Sequence, residues 1–280
     1  MSYLLELTIA EHRLAVEFPS DSLCAWAMRT FSAVPATSYT FASPLDMTIS
    51  VNMGYGTAQD SRLPQIIFTA DRVRYSRSDL LIAASRDYSE AFIEAYDERA
   101  LEHALILLYN ALITQREWGL IVSASSVVEE NKAYLFMLSS GLQGQSFSPP
   151  PAASALLSDQ AAILKISGGQ VRAFSSPFRK GICRSPQSIH LTYEVGAYYA
   201  QHPSPMIHHA PVSRKEAVQQ LHGSLYLKPL EPSDSSITKA LCRKAIDKVP
   251  FYELYAPSDD LFWREWTEKG RRRTGHLQHG

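Results

Sequence analysis

The sequence predicts an α/β protein with a mixed sheet built around one central strand, a long helix packed on that sheet, and a strand-rich N-terminal portion. Three observations predict it. Apolar residues alternate with polar or small ones in the first eighty or so positions, as in Leu14, Val16 and Phe18 and again in Leu45, Met47, Ile49 and Val51. A helix-period stripe follows, with Leu101, Leu105, Leu108 and Leu112 at i, i+4, i+7 and i+11. Beyond it, short apolar runs bounded by turn residues alternate with further helical patterns.

Taken in order, Asn52-Met53-Gly54-Tyr55-Gly56 and Asp60-Ser61 carry turn chemistry, and Leu63 to Thr69 with Val73 to Tyr75 reads as a hairpin. A long helix is expected from about Tyr88 to Glu117, its stripe widened by Ala104, Leu107 and Ala111. Gly119 ends it and opens a buried strand, Leu120-Ile121-Val122, that continues into Ser123 to Val128. Glu129 to Lys132 turns the chain into the strand Ala133 to Leu138. Ala161 to Ile166 and Val171 to Phe174 form a hairpin about Ser167-Gly168-Gly169. Residues 176–215 are rich in Pro, Ser and His and read as loop around one strand near Ile189 to Tyr193. Ser213 with Glu216 three residues later marks the N-terminus of a helix. A last helix from Ser235 or Ser236 to Lys248 precedes the strand Val249 to Tyr255. The chain divides on this reading into a strand-rich region at 1–85, an α/β core at 86–268 and a flexible basic tail at 269–280.

The bulk numbers bound the function. A chain of 280 residues, 45 % hydrophobic and 20 % charged, has the composition of an ordinary globular protein. A net charge of −1 offers no electrostatic case for nucleic acid or an anionic membrane. Cys24, Cys183 and Cys242 lie far apart with no metal-ligand spacing, which reads as reduced thiols in a cytoplasmic protein. The N-terminus lacks a basic leader region, and no apolar run is long enough for a membrane span.

The chemistry-bearing segment follows the strand Ala133 to Leu138. Ser139-Ser140-Gly141-Leu142-Gln143-Gly144-Gln145-Ser146 lies on the phosphate-binding pattern G-x-x-x-x-G-K-[S/T] with Gly144 and Ser146 in place. The first glycine is Ser139, and the lysine that gives the terminal phosphates a full positive charge is Gln145. Each charge-assisted hydrogen bond lost to phosphate is worth roughly 1.5–3 kcal/mol. Pro149-Pro150-Pro151 follows Ser146 by three residues, so a helix there starts late and its N–H groups sit away from the loop.

The order of these segments resembles the HPr serine kinase-related family, which has a phosphoenolpyruvate-carboxykinase-like P-loop fold. The landmarks are Val122-Ser123-Ala124-Ser125, Lys132 to Phe136, the degenerate loop, Leu157-Ser158-Asp159-Gln160, Ser175 to Phe178, Val249 to Leu254, and Asp259 or Asp260 with Phe262-Trp263. The resemblance covers about Gly119 to Trp263 and implies an HPr kinase C-terminal domain-like core. It implies nucleotide contacts at Ser140, Gly141, Gly144, Gln145 and Ser146, and a Mg²⁺ held by Ser146 and Asp159 wherever a nucleotide binds. Asp159 would also be the catalytic carboxylate of an active member. It places Ser123 where active members carry a histidine, Gln145 where they carry lysine and Gln160 where they carry a second acid. Three of the five chemical positions, Ser123, Gln145 and Gln160, have therefore lost the group that active members carry, and all three are uncharged.

The expected function is that of a catalytically impaired HPr kinase-like protein, a pseudokinase that binds or scaffolds a protein or peptide partner, in a family that accompanies biosynthetic gene sets. The alternatives are an active ATP-dependent serine kinase using Mg²⁺, with one of Arg179, Lys180 and Arg184 replacing the missing lysine, and a structural subunit with no nucleotide site or cofactor. Ser123 and Ser125 have no histidine placed in sequence to activate them, and read as hydrogen-bonded hydroxyls. His202, His208, His209 and His222 read as surface loop residues, because adjacent histidines on a strand face opposite ways and no partner has ligand spacing.

Overall fold

A computed structural model describes residues 2–35, 44–58, 64–138, 156–178, 191–227 and 232–257. The architecture is mixed α/β, and the chain forms two compact units, Met1–Arg116 and Glu117–Gly280. The sequence division at residue 85 assigns the long helix to the C-terminal core, whereas its contacts put it in unit 1.

Unit 1 contains β1 (Tyr3–Ile9), β2 (His12–Phe18), α1 (Asp21–Phe31), β3 (Val34–Pro35), β4 (Met47–Met53), β5 (Gln65–Phe68), β6 (Arg72–Arg77), β7 (Leu80–Ser85), β8 (Glu90–Ala95) and α2 (Glu98–Gln115). The strands form one sheet in the order β3-β1-β2-β4-β8-β7-β6-β5, with β4 parallel to both β2 and β8. Alternation decides which face is buried: Leu5, Leu7, Val16, Ile49, Ile93 and Ile82 all lie on the covered side. The cover comes from α1, which packs on β1 and β2, and from α2, which packs on β7 and β8.

Two features of unit 1 differ from the sequence reading. Residues 90–95 are strand β8 and not helix, because β4 and β7 flank them and bury Ala91, Ile93 and Ala95 in alternation. The helix begins only after Asp97, whose carboxylate accepts the Ala100 N–H at 2.8 Å. The other is α1, absent from the sequence reading, which Ser20 caps by accepting the Leu23 N–H. Leu23, Cys24, Ala27 and Phe31 then supply its buried stripe.

Unit 2 contains β9 (Gly119–Glu129), β10 (Lys132–Leu138), β11 (Leu156–Ser158), β12 (Ala161–Ser167), β13 (Gln170–Phe174), β14 (Thr192–Pro203), β15 (His208–Pro211), α3 (Arg214–Gly223), α4 (Pro232–Ile246) and β16 (Phe251–Ala256). Glu130 and Asn131, both at positive φ, make the tight turn between β9 and β10. The sheet curls on itself. β14 pairs with β13 through Thr192–Glu194 and with β10 through Glu194–Gln201, so β9, β10, β12, β13 and β14 close a ring. The register shifts between Ala133 and Tyr134, opposite Gly196, where an added Cβ would lie 2.8 Å from the Tyr134 ring. Leu120, Leu135, Leu164, Val195 and Phe251 share a core with Leu221 of α3 and Leu241 of α4. Ser213 caps α3 as the sequence predicts, and its hydroxyl donates to Glu216 Oε2 at 2.7 Å.

Three strands of unit 2 run parallel, β10, β14 and β16, and their carboxyl ends lie together. In α/β sheets that edge is where ligands bind.

Candidate functional site

The corner beside the end of β10 is assembled from three sequence landmarks. Met137 of β10 pairs with Ala124 of β9, and Ala161 of β12 pairs with Ser123 on the other side of β9. The Ala124 N–H donates to the Gln160 carbonyl at 3.2 Å, and the Ser158 hydroxyl donates to the Ala124 carbonyl at 3.4 Å. The Ser125 hydroxyl donates to the Asp159 carbonyl at 3.3 Å. Ser176, from the Ser-Ser-Pro-Phe landmark, donates its N–H to the Leu157 carbonyl at 3.0 Å. The structure therefore brings Ser123, Ser125, Asp159 and Gln160 to one place. Ser140, Gly141, Gly144, Gln145 and Ser146 lie outside the described residues, as do the proline run, Arg179, Lys180, Arg184, Asp259, Asp260, Phe262, Trp263 and the basic tail.

The chemistry of the described corner is that of neutral hydrogen bonds. Ser125 and Ser158 donate to backbone carbonyls, which cannot accept the hydroxyl proton and so cannot make either oxygen a nucleophile. Ser126 is fully buried, and its hydroxyl has no hydrogen-bond partner among the described residues. Asp159 and Gln160 are half-buried, and Ser123 is exposed. Asp159 is the single ionisable side chain of these four positions.

Sequence reasoning missed two further groups at the carboxyl ends of the parallel strands. Gln201 of β14 lies between Leu138 of β10 and Leu254 of β16 in the pairing register. It is 2 % exposed, and its Nε2 has no hydrogen-bond partner among the described residues. The signal in sequence is a glutamine inside the otherwise apolar alternation of β14. The second group overturns the reading of the histidines as loop residues. His202 of β14 and His208 of β15 both pair with Tyr255 of β16. Their rings stack on the two sides of the tyrosine, at 4.9 Å and 4.5 Å between centroids. His209, on the opposite face, packs edge-on against Tyr252. The Tyr255 hydroxyl donates to Glu253 Oε2 at 2.9 Å, which raises the phenol pKa above its ordinary value, and burial and the carboxylate charge push the same way. Glu253 also accepts from Gln220 of α3 at 3.5 Å and has His202 Nε2 at 3.9 Å.

No group of three or more His, Cys, Asp or Glu side chains among the described residues is placed to hold a metal ion. Cys24 and Cys242 are buried free thiols, and burial pushes Cys242 up to about 12. No helix among the described residues is long and apolar enough to cross a membrane.

No protein-family model matches the chain, and no curated protein matches it. Among solved structures, the chain has a weak, distant resemblance to the Hpr(Ser) kinase/phosphatase from Coxiella burnetii, with 11 % identity and a TM-score of 0.30. The match covers 57 % of this chain and 99 % of that one.

Proposed function

We propose that unit 2 is a catalytically impaired HPr kinase-like module that works by binding a protein or peptide partner and not by transferring phosphate. The observation that carries this reading is the composition of the corner beside β10: Ser123, Ser125, Asp159 and Gln160 converge there with one carboxylate and no cation among them. Phosphoryl transfer depends almost entirely on positioned charge, with cations on the equatorial oxygens and a metal bridging the phosphates. A single carboxylate holds Mg²⁺ only together with phosphate oxygens and water, and these four positions supply no cation to offset the charge of a triphosphate, which supports binding without turnover.

The same groups suit recognition. Ser123 is exposed and Gln160 half-buried, so a hydroxyl and a carboxamide offer both donors and acceptors there at low desolvation cost, which is chemistry that suits a peptide partner. Incubation of the purified chain with γ-labelled ATP and Mg²⁺ is expected to release no phosphate above the protein-free background. Steady release that Asp159→Asn abolishes would overturn the reading in favour of an active kinase.

A further inference from the structure

Unit 1 presents a charge-segregated sheet face opposite the one that α1 and α2 cover. Arg72 and Arg74 project from β6, and Glu90 and Glu94 from β8, with β7 between the two strands. None of these four side chains has an ion-pair partner among the described residues. The middle of the face, on β7, is apolar: Ala83 shares a cross-strand row with Arg74 and Phe92, and Leu81 sits in the next, directly beside Glu94.

We propose that this face is a homodimer interface, in which two copies of the chain stack sheet on sheet about a two-fold axis running along β7. β6 and β8 flank β7 on its two sides, one strand spacing of about 4.8 Å away on each. An axis along β7, lying between the two sheets, therefore carries β6 of one copy over β8 of the other. Arg72 then meets the Glu90 region, and Arg74 lies over Phe92 with Glu90 and Glu94 on either side, where a guanidinium gains from both carboxylates and the ring face. The symmetry makes each contact twice. The Leu81–Ala83 strip meets its own copy at the axis, giving an apolar centre inside a charged rim. Face-to-face sheets stand about 10 Å apart, a gap that small central side chains fill and long peripheral ones span.

The second copy is the occupant that the charge pattern selects. A uniformly acidic partner would pair with β6 and be repelled by β8, and a uniformly basic one the reverse. Only a surface with the same two halves in the same order satisfies both, and the chain itself is such a surface.

The test is the molar mass of the full chain by light scattering and sedimentation. Wild type is expected to be a dimer that dissociates as salt rises, because the rim pairs are exposed. Arg72→Glu with Arg74→Glu places acid over acid and is expected to be monomeric; Glu90→Arg with Glu94→Arg places base over base and is expected to be monomeric as well. An equimolar mixture of the two variants restores complementarity on both halves and is expected to give a dimer. Leu81→Glu, which sets like charges across the axis, is an independent disruption. A wild type that stays monomeric at about 100 μM, variants that remain dimeric alone, or a mixture that stays monomeric would each overturn the proposal. None of these outcomes depends on whether unit 2 turns over ATP.

Discussion

His12 Nδ1 lies 3.0 Å from the Tyr109 hydroxyl, joining the start of β2 to the long helix α2 across ninety-seven positions of sequence. The hydroxyl donates its one hydrogen to the Ile9 carbonyl at 3.0 Å, so it accepts from His12, and the imidazole carries a proton on Nδ1. Burial raises the Tyr109 phenol well above its ordinary value, which keeps the donor protonated throughout the accessible range. Tyr109→Phe removes an acceptor from His12 and a donor from Ile9 while preserving the ring. The expected cost is about 1–3 kcal/mol, read as a lower midpoint in urea with an unchanged slope; an unaltered midpoint would show that other groups take over both bonds.

His103 on α2 is a built-in acid sensitivity. Burial first, and then the neighbouring Arg77 cation, push its pKa from the ordinary 6.5 down to about 4. Arg77 is itself fixed by Asp79, 2.5 Å away, in a pair whose side chains are each 3 % exposed. The unfolded chain therefore binds a proton between pH 6.5 and 4 that the folded chain does not, and stability falls as pH drops through that window. The loss levels off below pH 4 at about 3 kcal/mol. Denaturation series at pH 7 and pH 4.5 should show the drop in wild type and a smaller one in His103→Gln; equal drops would assign the acid sensitivity elsewhere.

The Gln201 carboxamide offers a stability change of opposite sign. A buried donor with no partner among the described residues costs free energy, and Leu254 stands beside it in the sheet, so an apolar side chain of similar length suits the site. Gln201→Met is expected to raise the melting temperature by about 2–4 °C, the equivalent of roughly 1 kcal/mol in a unit of this size. A lower melting temperature would mean that the amide has a partner in the folded protein.

Gly119 marks the start of β9 for a steric reason. A Cβ there would lie 1.9 Å from the Leu164 carbonyl oxygen, a backbone atom held in the β9–β12 ladder. Gly119→Ala must separate the two strands, and a loss of roughly 3 kcal/mol or more is expected, measurable as poor recovery of folded protein or a collapse of the unfolding midpoint. A mild effect would show that this end of the ladder yields easily.

Local patterns carried much of the fold. The β12–β13 hairpin, the cap of α3 and the alternation of β2 and β4 all follow from short stretches whose chemistry agrees with their burial. β8 did not follow, because Ala91, Ile93 and Ala95 are equally at home in a helix, and only two flanking strands, distant in sequence, decide the matter. α1 is legible in Ser20 and the spacing of Leu23, Ala27 and Phe31, a short pattern set between longer strand alternations. At the candidate site, the hydrogen bonds among Ala124, Ser125, Asp159 and Gln160 join two of the sequence landmarks, a contact that their order along the chain does not itself specify. The His202–Tyr255–His208 stack lay beyond reach, since a cross-strand ring stack is a property of register and not of composition, whereas Gln201 is marked in sequence only as a lone polar residue in an apolar alternation.

The double pairing of β14 has a consequence for synthesis. Until Thr192 to Gln201 has left the ribosome, β10 and β13 both wait with an unsatisfied edge, and the stretch from Leu138 to Thr192 must be made first. At ordinary elongation rates that delay is roughly 3–10 s. Through that delay the nascent chain carries the open edge of β10, joined by that of β13 once Phe174 has been made, and both are free to pair with a neighbour. Expression that slows translation after β13, or a chain that stops short of β14, should therefore drive this protein into inclusion bodies.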